Sequence, residues 1–318
     1  MQRAQLIPLG AGVIAALMHL SVALGVPGAA LLTIFAQVPI AAAGLSLGFM
    51  PAAVAAAVAA VLVAIGSTAS GGLTIFILVT ALPVLLIVYF SVQKAPASPE
   101  DETGAANWYP IGRTLGALTA LALVLYLISF LTIVTSEAEL RERIRPIIDA
   151  MSAMLQGAGA QPAQIDGTIG RMVLFLPATV AGYFLLLTIL NSVLAQKILV
   201  AKDKNLRPTP VYSDIELPLW PAAAIILGAL LSFFGGNAGF FGLNVMLIAT
   251  IPFFFIGLAV LHSISAAWPG RLFLLMGAYL FLVLLVWPAA IIALLGLIEH
   301  WVRLRERMHA RRSNKGNE

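Results

Sequence analysis

The sequence predicts an all-α, polytopic membrane protein: a transmembrane helix bundle of eight or nine spans with one interfacial amphipathic helix. Three observations carry this. The 318 residues are 61% hydrophobic and only 10% charged, where ordinary soluble domains carry about 25% charged residues. From Ala4 to Gln93 there is no Asp, Glu, Lys or Arg. The apolar blocks run on without the alternation that a transmembrane barrel needs. Helices satisfy their own backbone hydrogen bonds, which lipid cannot do for them.

Four spans fit the first part of the chain, at 6–25, 27–47, 50–67 and 72–92. The connectors between them are short and marked by glycine or proline, as at Gly25-Val26-Pro27, Gly48-Phe49-Met50-Pro51 and Gly71-Gly72. Such turns give an up-down bundle. Residues 1–92 are therefore expected to form an N-terminal four-span bundle. Arg3 ahead of an apolar run imitates a signal peptide, but three more apolar segments follow with hardly a break. A polar, proline-rich loop at 93–112 then joins two halves, with Trp108 and Tyr109 suited to an interface.

The second half, 113–298, is expected to hold four or five spans, beginning at 113–135. Segment 136–170 differs from the rest. Ser136 and Glu139 have capping-box spacing. Leu140, Ile144, Ile147, Met151 and Met154 recur at helical spacing among charges. An amphipathic helix bent at Pro146 and lying at the membrane interface is expected here. Further spans fit 172–195, 219–234, 240–262 and 271–297, the last interrupted by Trp287-Pro288.

Charge placement sets a puzzle. The basic tail 299–318 and the loop 197–217 should both face the cytosol. Three full spans between them would place them on opposite sides, so a re-entrant segment or one exception to the rule is expected. The tail begins at Glu299, where the last helix is expected to leave the membrane. Trp301 would sit at the headgroups there and Arg303, four residues on, would pair with Glu299.

Inside the spans, small residues four apart come first: Ala11 with Ala15, Gly12 with Ala16, and Ala52, Ala56 and Ala60. Such faces let helices approach closely, or dock a partner. Pro39, Pro83, Pro177, Pro252 and Pro288 remove backbone donors in or near spans. Each is either a kink or part of a ligand site built on a broken helix. The polar side chains at depth are His19, Gln37, Asn191, Asn244 and His262. They are candidate ligand contacts, or hydrogen bonds between helices.

Several chemistries are excluded. There is no cysteine, so no thiolate or disulfide chemistry. GxxxxGK[ST], HExxH and GxSxG are absent, and the four histidines lack zinc spacing. No catalytic residue, metal or cofactor is expected. The net charge of +4 reflects loops and tail, and does not point to nucleic acid.

Gly296-Leu297-Ile298-Glu299 followed by Arg303 and Arg305, together with Asn244 and the run Gly257 to His262, resembles the YybS-like bacterial membrane proteins. Glu299 stands where that pattern more often has Asp. The run LTIFAQVPIAAAGLSLGFMPAAVAAAVAAVLV and ALPVLL extend the resemblance over most of the chain. The first four spans also resemble, more distantly, the substrate-binding subunits of energy-coupling-factor transporters, whose first helix docks through an AxxxA face matched here by Ala11 and Ala15. Those subunits are smaller and have no counterpart of 94–110 or 136–170.

The resemblances imply a non-enzymatic protein of the bacterial cytoplasmic membrane. One reading is a ligand-binding or transport subunit that relies on a separate coupling or ATPase subunit. The alternative is a scaffold or assembly factor for a cell-envelope complex. A ligand subunit predicts convergent polar groups around a pocket, a scaffold a filled bundle with apolar surface left exposed.

Overall fold

A computed structural model describes residues 2–23, 25, 27–67, 71–94, 108–210, 215–266, 268–285 and 287–302. Among these the protein is all helix and connecting chain, apart from one isolated antiparallel bridge between Lys94 and Trp108. The chain divides into two compact units, Met1–Leu118 with Tyr183–Val211, and Thr119–Gly182 with Tyr212–Glu318. The boundaries of these units, after Leu118 and after Gly182, fall inside two long helices.

In the first unit, α1 (Gln2–Leu20) and α4 (Phe49–Gly66) pack face to face. Gly12 meets Ala55 and Val58, and Leu20 meets Gly66, so the two helices run parallel. A Cβ at Gly12 would collide with the Ala55 carbonyl oxygen. The small-residue expectation therefore describes a contact within the chain. Ala15, Ala16, Ala52, Ala55, Ala56 and Ala59 are buried in it, while Ala11 and Ala60 lie at its edge.

The second span is broken. Helices α2 (Ala29–Ile34) and α3 (Gln37–Leu47) are separated at Phe35-Ala36. The fourth and last span of this group is α5 (Gly72–Ile75), a π-helical segment Phe76–Ala81, and α6 (Leu82–Ser91). The core is Ile40, Ala41, Val63, Phe76, Val84 and Val88 with the alanines above. α7 (Ile111–Thr132) then leads into the second unit.

The amphipathic segment departs from expectation in two ways. It is two helices, α8 (Glu137–Arg143) and α9 (Arg145–Gly157), because Ile144 has left the helical region and Pro146 occupies the first turn of α9. It also has a protein partner. Leu140, Ile144, Ile148, Met151 and Leu155 pack with Ile165, Ile169 and Val173 of α10 (Pro162–Val200). Ile147 and Met154, expected on that same stripe, point away and are 62% and 77% exposed.

The length of α10 explains this. Its 39 residues extend about 58 Å at ~1.5 Å each, against a hydrocarbon core of ~30 Å. The helix is longer than a span needs, and its first turns, with Asp166 and Arg171, carry α8 and α9 as an arm whose apolar cluster also takes in Phe130 of α7 and Phe240.

α11 (Trp220–Ser232) and α12 (Gly236–Ser265) form a tight hairpin in which Gly228 and Gly242 bring the backbones together. α13 (Arg271–Leu284) and α14 (Trp287–Val302) are bent by more than 40° at their break, where Trp287-Pro288 interrupt the apolar run. α14 runs antiparallel to α12, with Gly257 against the Ile292 carbonyl and Gly296 against that of Phe253.

By length and composition, the described residues contain six helices able to cross a membrane, or seven if the bent pair is one span. Eight or nine were expected. The difference lies in Leu6–Leu20 and Trp220–Ser232, both in the range of 10 to 17 residues. At ~1.5 Å per residue, the 13 residues of Trp220–Ser232 reach about 20 Å, short of the core alone.

Candidate functional site

The polar side chains within the spans form two separate clusters, and both meet helix backbones at breaks. In the first unit Gln37 opens α3 and Asn191 lies on α10. Gln37 Nε2 donates to the Val79 carbonyl at 3.0 Å and to Thr188 Oγ1 at 3.1 Å. Asn191 Nδ2 donates to the Ile34 carbonyl at 2.8 Å and, more weakly, to Gln37 Oε1 at 3.4 Å. Thr188 Oγ1 in turn donates to the Phe184 carbonyl at 2.9 Å.

The two carbonyls are the ones the breaks leave short of donors. Val79 lies four residues before Pro83, which has no N–H to offer it. Ile34 ends α2, and the amide four residues on, Val38 N–H, bonds to Phe35 instead. An unpaired backbone carbonyl is costly where no water reaches it. Gln37 and Asn191 supply the missing donors.

In the second unit Asn244 does the same alone, from α12. Its Oδ1 accepts from Ala178 N–H at 3.0 Å, and Nδ2 donates to the Leu174 carbonyl at 3.1 Å and to Phe240 of its own helix at 3.0 Å. Leu174 and Ala178 are the two ends of the rung next to Pro177. The proline ring crowds the carbonyl four residues before it and kinks the helix. The amide of Asn244 spans that place, and only one orientation of it works, with oxygen toward the N–H and nitrogen toward the carbonyls.

The remaining candidates stand apart. His19 packs edge-on against Phe76 at 5.0 Å, and its Nδ1 has no hydrogen-bond partner among the described residues. His262 Nδ1 donates to the Leu258 carbonyl at 2.9 Å, which leaves Nε2 to accept from Tyr279 at 3.5 Å. The structure thus joins Gln37 with Asn191, and leaves Asn244, His19 and His262 separate.

Glu299, expected in water at the membrane boundary, is only 4% exposed, one turn beyond the close contact of Gly296 with Phe253. Trp301 is exposed, and Arg303 with the rest of the tail lies outside the described residues.

Sequence reading missed Thr188. Its signal was available: Thr188, Asn191 and Ser192 share one face of α10 at spacings of three and four. It also missed Arg207, which ties two polar loops. The guanidinium donates to the Tyr109 carbonyl at 3.0 Å and lies 5.9 Å above the Trp108 ring. Partial burial holds its pKa below the usual arginine value.

Long apolar helices mended by side-chain amides define a multi-pass helical membrane protein. The chain belongs to the DUF2232 family, described as predicted membrane proteins, whose model matches residues 13–299. The Gly257, Gly296 and Asn244 positions that carried the sequence resemblance fall within that match. No curated protein and no solved structure matches the chain, and the energy-coupling-factor resemblance finds no support among these comparisons.

Proposed function

We propose that this protein is a membrane scaffold or assembly factor for a bacterial cell-envelope complex, without catalytic activity of its own. The observation that carries this is the arm of α8, α9 and the first turns of α10. Its apolar core, shared with Phe130 and Phe240, leaves Ile147 and Met154 bare on its outer side. Exposed apolar side chains outside the bilayer mark a surface for another protein. The spans also supply little for a ligand, since Gln37, Asn191 and Asn244 are already spent on backbone groups.

The second reading, a transport subunit working with a separate ATPase in the inner membrane, is favoured by one feature: two broken spans meet at Gln37 and Asn191, as in transporters whose sites use interrupted helices.

The test places photo-crosslinking residues at Ile147 and Met154, and as controls at Val61 and Ile65, in the full chain in cells. The scaffold reading expects one discrete crosslinked protein from the arm positions and none from the controls. A bound small molecule in native mass spectra, with no arm crosslink, would establish the transport reading instead.

A further inference from the structure

The charged groups of the first unit are arranged unlike those of the arm. Every described Lys and Arg of the unit whose side chain is placed lies at one end: Lys94, Arg113, Lys197, Lys202, Lys204 and Arg207. That end is fastened together by backbone contacts. Leu206 N–H donates to the Leu45 carbonyl near the close of α3, Tyr109 N–H to the Gln93 carbonyl after α6, and Arg207 to Tyr109 just before α7. The connectors 21–28 and 67–71, at the other ends of these helices, contain no charged residue.

Arg207 is occupied by Tyr109 and Trp108. The other five are exposed, and none pairs with a carboxylate among the described residues. Asp203 is the one acid of the unit among those residues; Glu100, Asp101 and Glu102 lie outside them, and over the unit's whole sequence, Arg3 included, bases outnumber acids seven to four. In the arm, by contrast, Arg141, Arg143 and Arg145 each meet a glutamate three or four residues away.

Unpaired cations at the end of a spanning helix face the headgroup layer. Lys197, Lys202 and Lys204 ring the end of α10, with Val200 and Leu206 exposed among them. Ammonium groups held at that depth, above bare aliphatic side chains, match the phosphate of a lipid whose acyl chains lie alongside.

We propose that this end of the first unit is a binding surface for anionic phospholipid headgroups, centred on Lys197, Lys202 and Lys204. It therefore faces the anionic cytosolic leaflet. This holds whether the chain is a scaffold or a transport subunit.

The test uses the full chain in nanodiscs of phosphatidylcholine, with or without phosphatidylglycerol, and native mass spectrometry of retained lipid. Each lysine near an anionic surface is worth roughly fivefold in binding. Phosphatidylglycerol should be enriched around the wild type, and the variant K197Q/K202Q/K204Q should lose that enrichment by up to about a hundredfold. The variant R141Q/R143Q/R145Q should keep it. Equal enrichment in both variants, or its absence from the wild type, overturns the proposal. Binding of inorganic phosphate in plain phosphatidylcholine discs, lost in the lysine variant, also overturns it, since it would mark a site for a soluble anion. A cysteine at Lys204 should react with an impermeant thiol reagent only in opened cells. Reaction in intact cells overturns the orientation.

Discussion

The carboxamides of the two units solve one problem at different scales. In the second unit a single side chain, Asn244, takes both ends of the rung beside Pro177. In the first, Gln37 and Asn191 share the task, because two spans are broken there, at Phe35-Ala36 and before Pro83. The difference teaches that a polar residue in a greasy span can be read from its nearest helix break. One break calls for one amide; two breaks that meet call for a linked pair.

The largest effect is expected at Asn244. Asn244→Leu removes two hydrogen bonds to α10, each worth ~0.6 kcal/mol on average in a membrane. It also leaves a buried N–H and carbonyl, each costing about 1–3 kcal/mol if unpaired. Partial reclosure of the ladder offsets some of this, so a loss of about 2–3 kcal/mol is expected in unfolding from detergent. In a Pro177→Ala background the helix can close its own rung, and the same substitution should cost less than half as much. Equal costs in both backgrounds would show that Asn244 does not act through the proline break.

A smaller effect is expected in the first unit, where the load is shared. Gln37→Leu removes two good bonds, so about 1 kcal/mol. Asn191→Leu should cost about the same, and the double variant less than the sum, because Thr188 and the Gln37–Asn191 bond belong to one network. Strict additivity would break the contrast drawn between the linked pair and the lone amide.

These sites also mark how much was legible beforehand. Gln37, Asn191 and Asn244 were visible as polar residues at depth, and Pro83 and Pro177 as lost donors. Which amide served which proline was not, since Asn244 and Ala178 are 66 positions apart and no periodicity links them. The small-residue faces were legible on α1 and α4, but Gly228 with Gly242 and Gly257 with Gly296 needed the helix pairings first. The sequence count of spans exceeds the six or seven described helices that reach spanning length, because hydropathy scores an apolar turn and an apolar helix alike. The stripe on α8 and α9 was read in the right period but given to lipid. Both Ile147 and Ile148 are apolar, and only α10 decides which of them faces inward.

The arm extends the comparison to water. Glu139 mends a helix start there: its Oε2 accepts from Thr135 N–H at 2.9 Å and from the Thr135 hydroxyl at 3.0 Å, while Ser136 Oγ accepts from Glu139 N–H at 3.1 Å. The reciprocal partner is Thr135, one residue before the position a capping box uses. A carboxylate can do this because water solvates its charge, whereas in the spans the same role falls to neutral amides. The two kinds of mending should therefore differ in their response to pH. The Thr135 N–H, then its hydroxyl, and further on Arg143, hold the Glu139 pKa below its ordinary 4.5. A depressed carboxylate pKa gives stabilisation that is fully present above 4.5 and is lost as pH falls through the lower folded value. Hydrogen exchange at Leu140 and its neighbours should accordingly speed up, beyond its intrinsic pH dependence, as pH falls below the ordinary 4.5. Glu139→Gln should show a smaller acid response and start from a looser helix end at neutral pH. This is the smallest effect expected, because the carboxylate is partly exposed and reached by water. Exchange at amides beside Asn244 should not follow that acid curve. If both regions loosened together in acid, neutrality would not be what separates the buried amides from the exposed carboxylate.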